Sequence, residues 1–578
     1  MRARALPAPA GRAPRRRLRL LPVVPLLTVA VLTVPVGAGL LGTALPAIGV
    51  MPALGHAAPG LAPFRDLFAW PGLADALRLS AATGLTATAL ALAVTVAILA
   101  SWSETRAFGA IRRALAPLLS VPHAAAAFGL AFLIAPSGWA MRALSPWATG
   151  MDRPPDWLVV QDPGGLALIA GLVAKEVPFL LLMSIAALGQ TDARRAATVA
   201  RSLGHGREAG WLRAVFPRLY AQIRLPVYVV LAYSMTVVDV AAILGPTTPP
   251  PLSVQIVRWM NDPDLALRLR AAAGAVVQLA LVGAALGLWR AGEAALAALG
   301  RAWVRAGRRG PRGRWPAALS LALATLAAGV VIAGLGVLAL WSVAAFWAFP
   351  DAAPEALTLR SWARHGPELA RLLATTGAIA GLAALAALVL AVGCLEAETR
   401  HGLHIRRGGL WLLYAPLLVP QVAFLPGLQA AFLTAGTTPG LAAVTAAHLV
   451  FVFPYVFLSL GDPWRAWDAR LATAARSLGA GAGGVLWRVR LPMLLGPLLT
   501  AFAVGFAVSV GQYLPTLLVG GGRVATVTTE AVALAAGGDR RAIGVHALAQ
   551  TGAALLPFAL ALALPRLLWR NRRGMQDA

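Results

Sequence analysis

The sequence predicts an all-α polytopic membrane protein with about twelve transmembrane helices, arranged as two parallel six-helix repeats. Three observations carry this prediction: the composition, the spacing of apolar runs and an internal duplication. Apolar residues make up 59% of the 578-residue chain and charged residues only 13%. Soluble domains are about 45–50% apolar and about 25% charged, and disorder requires low hydrophobicity. The composition therefore excludes both of these classes.

Twelve apolar runs are long enough to cross a bilayer, which takes about 20 helical residues. Backbone polar groups in lipid must be satisfied within the segment, so we expect these runs to be helices. The runs lie near residues 20–48, 77–102, 114–135, 164–189, 225–245, 271–289, 316–348, 370–395, 409–434, 440–460, 493–519 and 542–567.

The basic residues predict the orientation of the chain. They comprise 49 arginines and one lysine, Lys175, and the arginines cluster between the apolar runs. With a cytoplasmic N-terminus, 36 arginines fall on the cytoplasmic side and 13 on the other. Cytoplasmic loops are enriched in basic residues, so we expect a multi-pass membrane protein with both termini in the cytoplasm. The net charge of +27 is thereby explained without a nucleic acid partner. The excess of arginine over lysine suggests a GC-rich bacterial genome, and we then expect the bacterial inner membrane.

The N-terminus has two interpretations. Residues 15–17 are three arginines that precede an apolar stretch, as in a secretory signal peptide. That stretch spans residues 20–48, whereas the apolar region of a signal peptide has about 7–15 residues. An uncleaved first span accounts better for this length.

Two loops on the predicted cytoplasmic side, one in each half of the chain, have closely similar sequences. TVARSLGHGREAGWLRAVFP occupies residues 198–217, and TAARSLGAGAGGVLWRVRLP occupies residues 473–492. The two align without a gap. The identical pairs are Thr198/Thr473, Ala200/Ala475, Arg201/Arg476, Ser202/Ser477, Leu203/Leu478, Gly204/Gly479, Gly206/Gly481, Arg213/Arg488 and Pro217/Pro492.

A second pair of repeated segments, here called echoes, lies upstream of the loops. SETR at 103–106 and AETR at 397–400 each follow a long apolar run, and APLL recurs at 116–119 and 415–418. The order of spans around the echoes is the same in both halves, which predicts a duplicated six-span unit in parallel orientation. The alternative is chance similarity in a chain rich in Ala, Arg, Leu and Gly.

These features predict the domain boundaries. The segments are a basic cytoplasmic N-terminus at 1–19, a first unit at 20–300 with its loop at 192–217, a basic cytoplasmic linker at 301–314, a second unit at 315–570 with its loop at 468–492, and a cytoplasmic tail at 571–578.

Each repeated loop predicts a short helix–turn–helix on the cytoplasmic surface. Small and basic residues at helical spacing lead into Arg-Ser-Leu-Gly, where glycine is a good helix stop. A second amphipathic turn with Trp211 or Trp487 then ends at a proline. Small residues allow close approach of another protein, and arginines supply charge-assisted hydrogen bonds. A basic loop resting on lipid headgroups is the alternative.

The loops resemble the EAA loop of binding-protein-dependent ABC transporter permeases. That pattern is Glu-Ala-Ala, three residues, Gly, nine residues, Ile, one residue and Leu-Pro. Thr473-Ala474-Ala475, Gly479 and Val489-Arg490-Leu491-Pro492 follow it in the second loop; Thr198-Val199-Ala200, Gly204 and Ala214-Val215-Phe216-Pro217 follow it in the first. Both loops have Thr in place of the leading Glu, and the first also lacks one Ala and the Leu.

The resemblance implies two fused permease domains, as in the permeases of the ferric iron and thiamine importers. It also implies partners: two copies of an ABC ATPase subunit, an extracytoplasmic solute-binding protein and the lipid bilayer. Each loop would be a coupling helix seated in a cleft of an ATPase subunit. The residues implied for coupling are Thr198, Ala200, Arg201, Gly204, Gly206, Pro217, Thr473, Ala475, Arg476, Gly479, Gly481 and Pro492.

ATP hydrolysis is expected on a separate subunit, so we do not expect this chain to be an enzyme. A P-loop requires Gly-Lys-Ser/Thr, but Lys175 lies between Ala174 and Glu176. The one cysteine, Cys394, allows no internal disulfide, and no zinc-ligand spacing is present. We expect no cofactor and no metal site.

Polar residues within the apolar runs are candidates for a substrate path. Ionisable groups in spans are costly and usually face a cavity or a partner. The candidates are Lys175, Glu176, Asp239, Gln512 and Tyr513. An ion pair between spans, such as Lys175 with Asp239, is a structural alternative for the first three. A kink that ends a helix is the alternative for the last two.

Two further classes of function remain open at this point. An ion-coupled secondary transporter also has twelve spans in two halves, although it would leave the repeated loops without a role. A membrane-embedded enzyme or scaffold is the other class, but no cluster of acid, base and nucleophile supports it. The substrate is not readable from the sequence; the resemblance suggests ferric iron or thiamine, and Glu176 with Asp239 would suit a cation.

Overall fold

A computed structural model describes residues 21–56, 58–307, 315–402 and 407–569. Helices account for nearly all regular structure in these ranges, which contain two isolated β-bridges and no strand. The predicted N-terminal segment 1–19 and tail 571–578 lie outside the described residues, as do residues 308–314 of the predicted linker. The all-α prediction is confirmed.

Eight helices of the first half make up its six predicted spans, because two of the spans are each divided between two helices; shorter helices lie between them. In order, the helices of the first half are α1 (Val24–Ala47), α2 (Ala62–Phe68), α3 (Leu73–Trp102), α4 (Phe108–Ser120), α5 (His123–Ile134), α6 (Trp139–Leu144), α7 (Leu166–Gly189), α8 (Ala193–Ser202), α9 (Arg207–Ala214), α10 (Phe216–Thr236), α11 (Asp239–Leu244), α12 (Leu252–Met260) and α13 (Leu267–Arg305).

The helices of the second half follow the same plan. They are α14 (Trp315–Val343), α15 (Arg360–His401), α16 (Arg407–Leu418), α17 (Gln421–Thr434), α18 (Leu441–Ala466), α19 (Ala469–Ser477), α20 (Ala482–Val485), α21 (Leu491–Met493), α22 (Leu495–Val510), α23 (Leu514–Gly520), α24 (Val527–Leu534) and α25 (Arg540–Leu568).

Within the described residues, nine helices are long and apolar enough to cross a membrane, and two bent pairs raise the number to eleven. One bent pair meets at 93° between α16 and α17, and the other meets at 74° just before α22. Both numbers are close to the predicted twelve. The helix α13 continues to Arg305, so the predicted linker at 301–314 begins inside a helix.

Several predicted spans are interrupted rather than continuous. The predicted single helix at 225–245 is wrong, because α10 ends at Thr236 and α11 begins at Asp239. Side chains satisfy the carbonyl groups that the break frees: Gln278 donates to the Met235 oxygen at 3.0 Å and Ser253 to the Val237 oxygen at 3.3 Å. Non-helical backbone at membrane depth is tolerated where protein covers it in this way.

The other interruptions follow from proline and from the same kind of side-chain cover. Pro122 separates α4 from α5, and Pro420 separates α16 from α17, because the residue before a proline favours extended backbone. The predicted span 493–519 divides between α22 and α23, and the Thr528 hydroxyl donates to the Val510 oxygen at that break.

The internal duplication extends well beyond the two loops. Gly165 and Gly440 precede α7 and α18, and Asp264 and Asp539 each accept backbone hydrogen bonds at the start of α13 and α25. Both pairs have the same separation in the sequence as the loops between them. The two halves therefore keep one register from residues 165 and 440 to residues 264 and 539, without a net insertion.

The first helix of each half packs on the opposite half. The helix α1 lies against α17, and α14 lies against α5. Glycines form both contacts: a Cβ on Gly427 would lie 2.0 Å from the Gly39 carbonyl oxygen, and one on Gly129 would lie 2.8 Å from the Gly334 carbonyl carbon. Small residues let helix backbones approach closely in membranes, so these glycines allow α1 and α14 to pack on the opposite halves.

Candidate functional site

The two repeated loops form the same helix–turn–helix, as the sequence predicts. The helices α8 and α19 both end at the serine of Arg-Ser-Leu-Gly. The next glycine has a left-handed backbone in each case, with φ of +83° at Gly204 and +86° at Gly479. Their backbone N–H groups donate to the oxygens of Arg201 and Arg476, both at 2.9 Å. This is a glycine-terminated helix end.

The second helix of each loop also starts alike. Gly206 and Gly481 have extended backbone and precede α9 and α20. The loops then diverge, because a π-helical turn at Leu486–Arg490 continues α20. The amphipathic tryptophans differ as well: Trp211 is buried, whereas Trp487 is 70% exposed.

A pair of exposed leucines marks the tip of the two loops. Leu203 is 64% exposed and Leu478 is 89% exposed, and the two occupy the same position in the repeat. Their identity is visible in the sequence, but they are not among the predicted coupling residues. The two loops thus present the same large hydrophobic side chain at equivalent, exposed tips.

Carboxylates at the ends of the preceding long helices tie both loops to the membrane helices. Glu104 of the SETR echo forms an ion pair with Arg201 of the first loop. In the second half, Glu396, which directly precedes the AETR segment, accepts from Arg490 at 2.7 Å, and both side chains are buried. The glutamate of AETR itself, Glu398, pairs with Arg465 of α18 at 2.9 Å. Arg490 also stacks 4.4 Å from the ring centre of Trp467. Arg400 of AETR also donates to the Ala482 oxygen at 3.0 Å, so each loop is held by residues in or beside the upstream repeat, although the two halves use different positions.

The prolines at the end of the two loops lie in the first turn of the helix that follows. Pro217 is the second residue of α10, and Pro492 is the second residue of α21. A proline in the first turn of a helix loses no hydrogen bond. The first loop therefore leads directly into α10, whereas a bend of 74° after Met493 separates the second loop from α22. The Thr198 hydroxyl donates to the Arg194 oxygen at 2.9 Å and so remains within α8.

The first loop has an additional support from α13. The Arg213 guanidinium lies 3.9 Å from the ring centre of Trp303, near the end of that helix. Arg213 also lies 3.1 Å from the His205 ring nitrogen. A groove of about 810 Å³ runs between the loop and Val304.

Lys175 is not paired with Asp239, so the predicted ion pair is wrong. Its Nζ donates to the Leu118 oxygen at 2.8 Å and to the Val121 oxygen at 2.6 Å. These carbonyl groups lie at the end of α4, where the helix leaves them without intrahelical donors. Lys175 therefore caps the break between α4 and α5.

Glu176 instead faces a group of aromatic and polar side chains. Its Oε1 lies 3.6 Å from the His123 Nε2, and the His123 ring centre lies 5.1 Å from that of Tyr233. Asp239 is buried and lies close enough to His123 and Tyr513 to interact with them electrostatically. The fold thus brings Glu176, Asp239 and Tyr513 of the predicted substrate path into one region. Lys175 borders this region, since it interacts electrostatically with Glu176, but its hydrogen bonds go to α4.

Tyr513 and Gln512 sit at the break between α22 and α23. Both side chains are partly exposed, and the Gln512 backbone donates to the Ser509 oxygen at 3.1 Å. The predicted kink is present. Tyr455 of α18, which is not among the predicted path residues, interacts electrostatically with Glu176 and Tyr233. Its aromatic ring inside an apolar run gave no distinctive signal in the sequence.

The helical spans, the duplicated plan and the paired loops are typical of a membrane transport permease. The family model for the binding-protein-dependent transport system inner membrane component matches residues 383–568. The chain is 31% identical over 516 residues to the inner membrane ABC transporter permease protein YnjC of Escherichia coli, covering 89% of this chain and 92% of that protein. The chain belongs to the family of binding-protein-dependent ABC transporter permeases.

Shorter matches connect the chain to two other permeases. The spermidine/putrescine permease protein PotC of Haemophilus influenzae is 26% identical over 110 residues, which is 19% of this chain and 43% of that protein. The molybdenum permease protein ModB of Mycobacterium tuberculosis is 34% identical over 125 residues, 21% of this chain and 45% of that protein. No solved structure shows significant similarity to the chain.

Proposed function

We propose that this chain is the membrane-spanning subunit of an ABC importer and that residues 198–217 and 473–492 are its two coupling loops. One observation carries the proposal: the two loops, one in each half of the chain, share a backbone conformation and each presents an exposed leucine. Two equivalent tips fit two equivalent clefts, which points to two copies of one ATPase subunit. A solute-binding protein would deliver the substrate on the other side of the inner membrane.

The anchors explain how movement of the ATPases would reach the membrane helices. When ATP brings the two subunits together, the loop tips approach each other. The first loop pulls on α3 through Arg201 and Glu104, and the second pulls on α15 through Arg490 and Glu396. Rigid links of this kind transmit a displacement between packed elements. The outward and inward faces of the spans would open in turn.

The coupling role is tested by purifying the chain with the ATPase encoded beside it. We expect stable association and ATP hydrolysis, and we expect loss of both in a double variant with Leu203→Asp and Leu478→Asp. The matched control is Leu158→Asp, which places the same change at a 70% exposed leucine in the loop between α6 and α7. An ATPase that binds the double variant as tightly as the native chain overturns the proposal.

The finer assignments rest on the family resemblance. Inward transport, cytoplasmic termini and a substrate such as ferric iron or thiamine agree with fused permeases of this type. Uptake of each compound by cells with and without the intact permease tests the substrate directly. Family membership favours this function over an ion-coupled secondary transporter, and dependence of uptake on the ATPase separates the two.

A further inference from the structure

A mixed acidic and aromatic cluster lies where the two halves meet. It comprises His123, Glu176, Tyr233 and Asp239 of the first half with Tyr455 and Tyr513 of the second. The helices that carry it are α5, α7, α10, α11 and α18, together with the break before α23. A substrate path between the two halves requires side chains from both of them, and this cluster has such side chains.

The two carboxylates of this cluster have His123 as their nearest basic group, 3.6 Å from Glu176. Among the described residues, no basic side chain forms an ion pair with Asp239, which is only 8% exposed. The charge of Lys175 is directed onto the carbonyl groups of α4. With His123 counted as neutral, Lys175, Glu176 and Asp239 sum to one negative charge. A buried charge of this kind is costly unless something compensates for it.

The remaining groups favour a particular kind of cation. Tyr233, Tyr455 and Tyr513 each keep part of their surface accessible, and their rings would supply the aromatic faces of the site. Aromatic faces attract ammonium and other organic cations, by about 0.5–2 kcal/mol each. Among the residues that the structure describes, no group of three or more His, Cys, Asp or Glu is placed to hold a metal ion.

We propose that this cluster is a binding site for an organic cation in the translocation path. The carboxylates of Glu176 and Asp239 would supply the charge, and the tyrosines would supply the aromatic walls. The proposal rests on the function given above and narrows its substrate to amines, quaternary ammonium compounds and cationic heterocycles. Anions and bare metal ions would be excluded.

The single cysteine of the chain makes a direct test possible. Cys394→Ser removes the only native thiol, and Tyr513→Cys then places one in the cluster. The complex with the ATPase, in lipid nanodiscs, is reacted with cationic trimethylammonium-ethyl and anionic sulfonatoethyl methanethiosulfonate. The control carries Ala148→Cys, which is exposed in a loop outside the cluster.

We expect the ratio of cationic to anionic reaction rates to be about tenfold higher at position 513 than at the control position, since a nearby charge shifts such energies by more than about 1 kcal/mol. Adding Asp239→Asn, or Glu176→Gln in a second variant, should lower that ratio several-fold. Tetraethylammonium should slow labelling at position 513, and molybdate should not.

The outcomes separate this inference from the coupling proposal. A ratio equal to or below that of the control, or protection by molybdate in place of tetraethylammonium, overturns the cation site even when the complex hydrolyses ATP. Loss of ATPase association with a retained cationic preference would overturn the coupling role and support the cation site. Protection by ferric citrate alone would also overturn the inference, because it would show a metal ligand.

Discussion

Gly204 and Gly479 adopt nearly the same left-handed backbone, with φ of +83° and +86°, although they lie in opposite halves of the chain. Each ends a helix whose last carbonyl groups would otherwise lack donors. Because only glycine enters this region without strain, the helix stop that shapes each loop depends on these two residues. The conformation of both loop tips follows from this requirement.

Substitution of Gly479 should therefore strain the backbone of the second loop. For Gly479→Ala we expect a loss of about 1 kcal/mol of folding free energy and weaker ATPase association, measured by thermal unfolding and co-purification. Gly481→Ala is the matched control: nothing lies within 4 Å of a Cβ at either position, but φ at Gly481 is negative. Equal effects of the two substitutions would argue against backbone strain as the cause.

The exposed loop leucine should contribute to ATPase binding without stabilising the chain. For Leu478→Ala we expect about tenfold weaker ATPase affinity, or about 1.4 kcal/mol, with an unchanged unfolding temperature. The control is Leu562→Ala, the same change at an exposed leucine of α25, away from the loops, and it should leave the ATPase affinity unchanged. Binding of the Leu478 variant at native affinity would place the contact elsewhere.

The buried pair of Glu396 and Arg490 should be important for stability. Glu396→Gln leaves the Arg490 guanidinium buried without its carboxylate partner, and breaking such a pair costs about 3–5 kcal/mol. Glu368→Gln is the control, since Glu368 and Arg371 are exposed and 4.0 Å apart, and it should cost less than about 1 kcal/mol. Thermal unfolding of the purified chain measures both, and similar losses would contradict the burial argument.

Lys175 and Asp239 should behave as independent residues. Lys175→Met removes two hydrogen bonds to the end of α4 and should lower the free energy of unfolding by about 1.5–3 kcal/mol. In a double-mutant cycle with Asp239→Asn, we expect a coupling energy below about 0.5 kcal/mol. A coupling above about 1 kcal/mol would restore the ion pair that the contacts exclude.

The glycine contact between α1 and α17 should not tolerate a methyl group. A Cβ on Gly427 would lie 2.5 Å from the Thr43 nitrogen and closer still to the Gly39 oxygen. We expect Gly427→Ala to cost about 1–3 kcal/mol through overpacking. Gly37→Ala changes the same helix α1 where nothing lies within 4 Å of the new atom, and its unfolding temperature should remain near that of the native chain.

Much of this architecture was predictable because lipid restricts the choices. The apolar runs, the arginine distribution and the repeated loops predict an all-helical, duplicated membrane protein with paired cytoplasmic helix–turn–helix motifs. The breaks within spans were not predictable from composition, because Gln278 and Ser253 satisfy the freed carbonyl groups from distant positions. The role of Lys175 was missed for the same reason: its acceptors are backbone atoms of another helix, and sequence reasoning paired it with a charge.

The exchange of α1 and α14 between the halves has a consequence for how such a protein can be encoded. The first helix of each half packs on the other half, so the two halves are held together by these contacts as well as by the peptide that joins them. A chain cut within residues 308–314 would yield two polypeptides that still reach into each other. A single fused gene and two adjacent genes can thus specify the same assembly, with the fusion adding equal dosage of the two halves.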